Sequence, residues 1–83
     1  MATWKKQSET ITGERGEKTI IYMPQGMRGA WIESRKLAIP HANGEGYWMH
    51  TSYYVCQFGK PALERYTLKD AKAAAEALME AAA

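Results

Sequence analysis

The C-terminal stretch from Tyr47 to Ala83, YWMHTSYYVCQFGKPALERYTLKDAKAAAEALMEAAA, decides the fold because its composition changes abruptly at Thr67. All seven glycines, all three prolines and all nine aromatic residues of the chain precede Thr67, whereas eight alanines follow it. Glycine and proline favour turns, aromatic residues favour strands, and alanine favours helix. The sequence therefore predicts strands and turns over residues 1–66 and one helix over residues 67–83.

The predicted helix has a defined start and one apolar side. Thr67 can accept a backbone N–H as the N-cap, and Asp70 occupies the capping-box position three residues later. No glycine follows the last turn, so we expect the final residues to fray. Apolar residues at helical spacing form a narrow stripe, with charged residues opposite. The stripe comprises Leu68, Ala71, Ala75, Leu78 and Ala82, and the opposite side comprises Lys69, Lys72, Glu76 and Glu80.

Segments with strand composition alternate with turns that contain glycine or proline. Together with the helix they predict an α+β fold. We expect an antiparallel sheet of four or five strands with one C-terminal α-helix packed on one face, forming a single domain over residues 1–83. The predicted strands are Trp4–Thr12, Lys18–Met23, Ala30–Ile39, Tyr47–Phe58 and Ala62–Tyr66.

The alternation of side chains along Tyr47–Phe58 does not single out a water-facing side. Each set of alternate positions contains four apolar or aromatic residues out of six. One helix can cover one face of such a sheet but not both. The second face is then covered by the loop Pro40–Asn43 or the N-terminal segment, or it is an interaction surface for a second copy or a target macromolecule.

Size and charge exclude several classes of protein. A chain of 83 residues makes one small domain, and its 46% hydrophobic and 24% charged residues are typical of globular proteins. Eleven Lys and Arg against nine Asp and Glu are too balanced for a polycation. A single cysteine forms no internal disulfide, and no apolar run approaches the length of a membrane span. We therefore expect a cytoplasmic protein.

The sequence carries no assembled catalytic or metal-binding motif. Cys56 and His50 share one strand face but lie about 20 Å apart on a regular strand, so a Cys–His pair would need His41 instead. The two histidines and one cysteine lack metal-ligand spacing, and the Gly pairs lack a phosphate-loop motif. We expect Cys56 to be buried and unreactive beside Val55 and Phe58. The prediction is no enzyme, no cofactor and no metal.

Nucleic-acid binding is an open alternative. Residues 1–40 contain seven Lys and Arg against four Glu. Basic residues beside aromatic residues on a sheet are what binding of single strands requires, since charge attracts the backbone and rings stack on bases. Trp31, Arg35 and Lys36 lie on one predicted strand, and Trp48, Tyr53 and Tyr54 on another.

The run from Tyr53 to Lys72, YYVCQFGKPALERYTLKDAK, contains two strand segments joined by a Gly-Lys turn, then an aromatic residue, a Thr cap and an Ala-Lys helix. It resembles the hairpin-then-helix module that ends the arm-type DNA-binding domains of phage integrases. It is also similar to runs in small phage proteins, including some anti-CRISPR proteins. The resemblance implies a phage or mobile-element protein. The integrase sheet is strongly basic, whereas Glu33 and Glu64 dilute the charge here.

The prediction for function is a small non-catalytic interaction protein, similar to anti-CRISPR proteins, that inhibits a larger host protein or complex by covering its surface. The alternative is a sheet-based DNA- or RNA-binding module, and a homodimer is a further expectation. Aromatic residues on a water-facing sheet favour a partner, and arginine pairs well with carboxylates and phosphates. The predicted partner-binding residues are Trp31, Arg35, Lys36, Arg28, Trp48 and Tyr53.

Overall fold

A computed structural model describes residues 3–26 and 28–82, and it confirms the predicted α+β fold. Five antiparallel strands form one sheet in the order β1-β2-β3-β4-β5, and one helix follows them. Each strand therefore pairs with its neighbour in sequence. The elements are β1 (Thr3–Ile11), β2 (Lys18–Gln25), β3 (Trp31–Pro40), β4 (Tyr47–Gln57), β5 (Lys60–Arg65) and α1 (Leu68–Ala82).

The strand boundaries differ from the prediction mainly around prolines. β2 continues through Pro24 to Gln25, although Pro24 was predicted to begin a turn. This is tolerated because the pairing of β2 with β3 ends at Tyr22, so Pro24 needs to donate no hydrogen bond to β3. β5 begins at Lys60 and includes Pro61 at the outer edge of the sheet, where proline is also accepted.

The register gives the sheet two different faces. Ile32 of β3 lies opposite Tyr22 of β2 and Val55 of β4, and residues directly opposite one another project to the same side. The helix packs on this side, which we call the helix face. Glu33 lies opposite Ile21 and Tyr54 and projects to the other side, which we call the open face.

The helix begins as predicted. The backbone N–H of Asp70 donates to Thr67 Oγ1 at 3.1 Å, so Thr67 caps the helix. The predicted stripe is only partly right, because Met79 is buried and was not included, while Leu68 and Leu78 are half-buried. The core cluster consists of Ala30, Ile32, Val55, Ala71, Ala75 and Met79.

One predicted solvent-facing residue of the helix lies against the sheet. Glu76 is half-buried, and its Oε1 accepts a hydrogen bond from Trp4 Nε1 at 3.3 Å. The helix backbone approaches β3, β4 and β5 but not β1, so the long Trp4 and Glu76 side chains span the distance between them. The side chain of Ala82 and the predicted fraying at Ala83 lie outside the described residues.

The helix covers only one end of the sheet. The described part of the chain measures 49 × 23 × 21 Å, and the helix contacts β3, β4 and β5. Neither predicted cover extends across the open face. The N-terminal segment forms the edge strand β1, and the Pro40–Asn43 loop contributes one ring, His41, which meets Trp48 edge-on with centroids 4.8 Å apart. None of the described helices is long and apolar enough to cross a membrane.

Candidate protein-binding face

The centre of the open face is a group of interacting polar and aromatic side chains. The Arg35 guanidinium lies 4.7 Å from the centroid of the Tyr54 ring, which allows a cation–π interaction. Arg35 Nη2 also donates to Glu33 Oε2 at 3.2 Å. Because β3 and β4 pair continuously here, these three side chains lie in one patch. The arginine is held between a carboxylate and a ring.

An apolar hollow adjoins this centre at the end of the sheet near the β2–β3 connection. The Trp31 and Phe58 rings meet there with centroids 5.0 Å apart and planes tilted by 55°. Met23 and Pro24 complete the apolar wall, and Arg28 lies at the same site. The hollow encloses about 750 Å³, and Phe58 is 89% exposed. This combination of an exposed ring, a half-buried ring and a cation is suited to an apolar group beside an anion.

Cys56 lies under this surface and is buried, as predicted. Its thiol is 3.6 Å from Glu33 Oε2. Burial, and secondarily the Glu33 carboxylate, raise the pKa of the Cys56 thiol to about 11. The thiol is therefore protonated at neutral pH and a poor nucleophile. The expectation that Phe58 shares a core with Cys56 is wrong, because Phe58 follows the end of β4 and projects into solvent.

The histidines lie away from Cys56. His50 Nε2 shares a 2.9 Å hydrogen bond with Ser52 Oγ, and His41 Nδ1 lies 2.8 Å from the carbonyl oxygen of Glu45. His41 is in the turn at the far end of β4, so about 30 Å of strand separates it from Cys56. The arrangement that a cysteine-dependent enzyme would need is absent from the described residues. Among those residues, no three His, Cys, Asp or Glu side chains group around a possible metal position.

Of the six predicted binding residues, the structure brings two together at the hollow and places a third on the same face. Trp31 and Arg28 line the hollow, and Arg35 lies further along the open face. Trp48 is on the same face but about 26 Å from Cys56 along β4, at the opposite end from the hollow.

Lys36 and Tyr53 lie on the helix face, and Tyr53 packs against the core cluster. The six predicted residues are therefore divided between the two faces, because neighbouring residues of a strand project to opposite sides.

Several residues of the open face were missed. Tyr54 and Glu33 are directly opposite in the register, and Met23 and Phe58 border the hollow. The alternation along β4 already separates Tyr54 from Tyr53, so this signal was present in the sequence. The position of Phe58 depends on the chain turning at Gly59, whose positive φ of 73° suits glycine.

The open face carries balanced charge. Lys5 and Arg35 project from it together with Glu33 and Glu64, as the strand register shows. The Tyr66 hydroxyl donates to Glu64 Oε1 at 3.0 Å, and this carboxylate raises the pKa of Tyr66. Comparison with protein-family models, curated proteins and solved structures finds no match to this chain.

Proposed function

We propose that this chain is a non-catalytic protein-binding module whose working surface is the open face beside the hollow. The observation that carries the proposal is the exposed Phe58 ring against half-buried Trp31, at one end of a face that no described residue covers with a second layer. Aromatic side chains left exposed in this way gain free energy when a partner removes them from water. Arginine and tryptophan are also the residues most often dominant in protein interfaces.

A protein partner is favoured over nucleic acid by the state of Arg35. Its guanidinium already contacts the Glu33 carboxylate and covers one side of the Tyr54 ring. Contact with a phosphate would compete with Glu33, and stacking of a base on that side of Tyr54 would displace Arg35. Glu33 and Glu64 would also repel a phosphate backbone.

The side chains that line the hollow indicate which side chains the partner protein carries at the contact. Met23, Trp31 and Phe58 offer apolar contacts, while exposed Arg28 is the cation among the described lining residues. The complementary surface is an apolar side chain next to an Asp or Glu carboxylate. In line with the phage-protein resemblance, such binding inhibits a larger host protein by covering its surface.

The proposal is tested with a displayed library of random peptides as the probe. We expect the selected peptides to combine an apolar residue with a neighbouring Asp or Glu. Phe58→Ser and Arg28→Glu should each weaken binding of the selected peptides about tenfold or more, since both change the hollow directly. Ile11→Ser is the matched control, because Ile11 is 78% exposed but lies at the other end of the sheet.

Two results contradict the proposal. One is equal loss of peptide binding in Phe58→Ser and Ile11→Ser, because binding would then not depend on the hollow. The other is tight binding of a labelled single-stranded oligonucleotide that falls steeply with salt and is lost in Arg35→Glu. That second result would establish the nucleic-acid alternative.

A further inference from the structure

The hairpin formed by β3 and β4 extends beyond the other strands of the sheet. Pairing of β2 with β3 stops at Lys36, and pairing of β5 with β4 begins only at Tyr53. We call residues 37–52 the ribbon. Two strands alone are marginally stable in water, and a third strand or a helix is normally needed. The helix covers the other end of the sheet, at Ile32 and Val55, so the ribbon lacks this support.

The two edges of the ribbon differ. On the β3 side, Glu17 Oε2 accepts the backbone N–H of Ala38 at 3.3 Å. Arg15 of the same turn lies 5.0 Å from the ring centroid of Tyr47, which belongs to β4. The β1–β2 turn therefore occupies this edge. On the β4 side, no described strand pairs with residues 47–52. Alternate residues of this stretch direct N–H and C=O groups outward from the sheet.

The free edge of β4 also lacks the features that normally prevent strands from pairing with other chains. Its sequence, YWMHTS, contains no Lys, Arg, Asp, Glu or Pro. The edge strand β1 contains Lys5 and Lys6 and a register shift between Lys6 and Ser8. Charges and irregularities of this kind protect an edge. Such protection is present on β1 and missing from the part of β4 that β5 does not pair.

We propose that the free edge of the ribbon pairs antiparallel with the same edge of a second copy of this chain. An uncharged strand can lie beside itself without opposing like charges, which a charged strand cannot do. The two ribbons then form a four-stranded sheet with the apolar side chains of Tyr47, Trp48 and Met49 adjacent to those of the partner copy. The dimer is isologous, with its two-fold axis perpendicular to the sheet.

The contact between the two copies is limited to residues 47–52, the part of β4 that β5 does not pair. A strand of six residues is about 20 Å long, so its pairing buries less surface area than a standard protein–protein interface does. We therefore expect a reversible, concentration-dependent dimer rather than an obligate one. The hollow lies at the far end of β4, so dimerisation leaves it accessible. The dimer and the proposed protein-binding function rest on different surfaces.

Sedimentation equilibrium of the full chain over a wide range of concentrations tests this proposal. Wild-type protein should change from monomer to dimer as its concentration rises. Met49→Lys should shift the equilibrium towards monomer at least about tenfold. The two lysines, one from each copy, would lie near the two-fold axis and repel each other. Ile11→Lys is the matched control, since both residues are exposed and apolar, Ile11 on the edge strand β1 and Met49 on the part of β4 that β5 does not pair. This control should dimerise like the wild type.

Cross-linking identifies the edge directly and does not depend on a destabilising charge. Met49→Cys should form an intermolecular disulfide on oxidation, whereas Ile11→Cys and wild-type protein with its buried Cys56 should not. The proposal is overturned if the wild type is monomeric at its highest soluble concentration, or if Ile11→Cys cross-links as readily as Met49→Cys. Peptide binding at the hollow is measured separately, so failure of the dimer does not decide the proposed function.

Discussion

The two ends of β4 belong to one continuous strand, but their side chains differ in how far they are exposed to solvent. Val55 at the helix-covered end is 1% exposed, whereas Met49, which projects to the same side of the sheet in the ribbon, is 38% exposed. Both ends are apolar and both pair fully with β3. The difference comes from the helix, whose 15 residues span about 22 Å of a molecule 49 Å long. Hydrophobic composition therefore decides where strands form here, and the length of the helix decides which apolar side chains form a core.

The strongest test of this comparison removes one aliphatic side chain from each end of β3. Ile32→Ala should lower the free energy of unfolding by about 2 to 5 kcal/mol, because Ile32 is fully buried between helix and sheet. Leu37→Ala in the ribbon should cost about 1 kcal/mol or less, since Leu37 keeps much of its surface in water. Urea denaturation at equilibrium measures both values.

Equal effects of these two substitutions would contradict the comparison. The result would mean that the ribbon has a core of its own under the conditions of the experiment. Repeating the Leu37→Ala measurement at several protein concentrations separates the possibilities, because burial by a second copy would make its effect grow with concentration.

Loss of the helix cap should destabilise only the end of the sheet that the helix covers. Thr67→Ala removes the hydroxyl that accepts the Asp70 N–H, and we expect a loss of about 1 kcal/mol in the free energy of unfolding. Thr67→Ser keeps the hydroxyl and should restore most of this stability. Amide hydrogen exchange should accelerate in the first turn of the helix. Acceleration confined to the ribbon would show that the cap does not act locally.

Sequence reasoning found the fold because its signals are local. The composition change at Thr67, the cap and the glycine-containing turns each depend on a few neighbouring residues, and they predicted all five strands and the helix start. The errors concern contacts between distant segments. The helix pattern predicts a solvent-facing Glu76, because its partner, Trp4, belongs to the other end of the chain. Pro24 remains in β2 because β3 stops pairing before it.

The candidate site was predicted less well for a related reason. A strand pattern separates residues into two sides but does not say which side the helix will cover. The sequence prediction includes Tyr53 and Lys36 with Trp31, although the register places them on the helix face. Trp48 is on the correct side, but its distance from the hollow depends on how far the ribbon extends. The unpaired β4 edge could be seen only once the lengths of β2 and β5 were known.

The reaction rate of the Cys56 thiol shows whether small reagents can enter the open face near the hollow. Since burial raises the pKa of this thiol to about 11, reaction with a thiol reagent near neutral pH should be slow in the native state and fast in denaturant. The unfolded chain loses this proton at lower pH, from about 9. The free energy of unfolding should therefore decrease as pH rises between these two values. Cys56→Ala should remove that part of the pH dependence. Rapid labelling of native protein would show that the face opens locally around Cys56.

The smallest expected effect concerns the protected edge of the sheet. Glu9 on β1 contacts Lys18 Nζ at 2.8 Å and Lys6 Nζ at 3.2 Å, and these partners, Lys18 foremost, lower the pKa of its carboxyl group. A lowered pKa contributes stability at neutral pH that is lost as pH falls through the acidic range. Because all three side chains are solvent-exposed or nearly so, the contribution is small and weakens with salt.

Glu9→Gln should therefore lower the melting temperature less than Thr67→Ala does, and the difference from wild type should shrink in high salt. The substitution also adds net positive charge to an edge that already carries Lys5 and Lys6, so β1 should stay unavailable for pairing with another chain. Sedimentation of Glu9→Gln should match that of the wild type. New association through β1 would show that the ion pairs, rather than the lysines and the register shift, protect this edge.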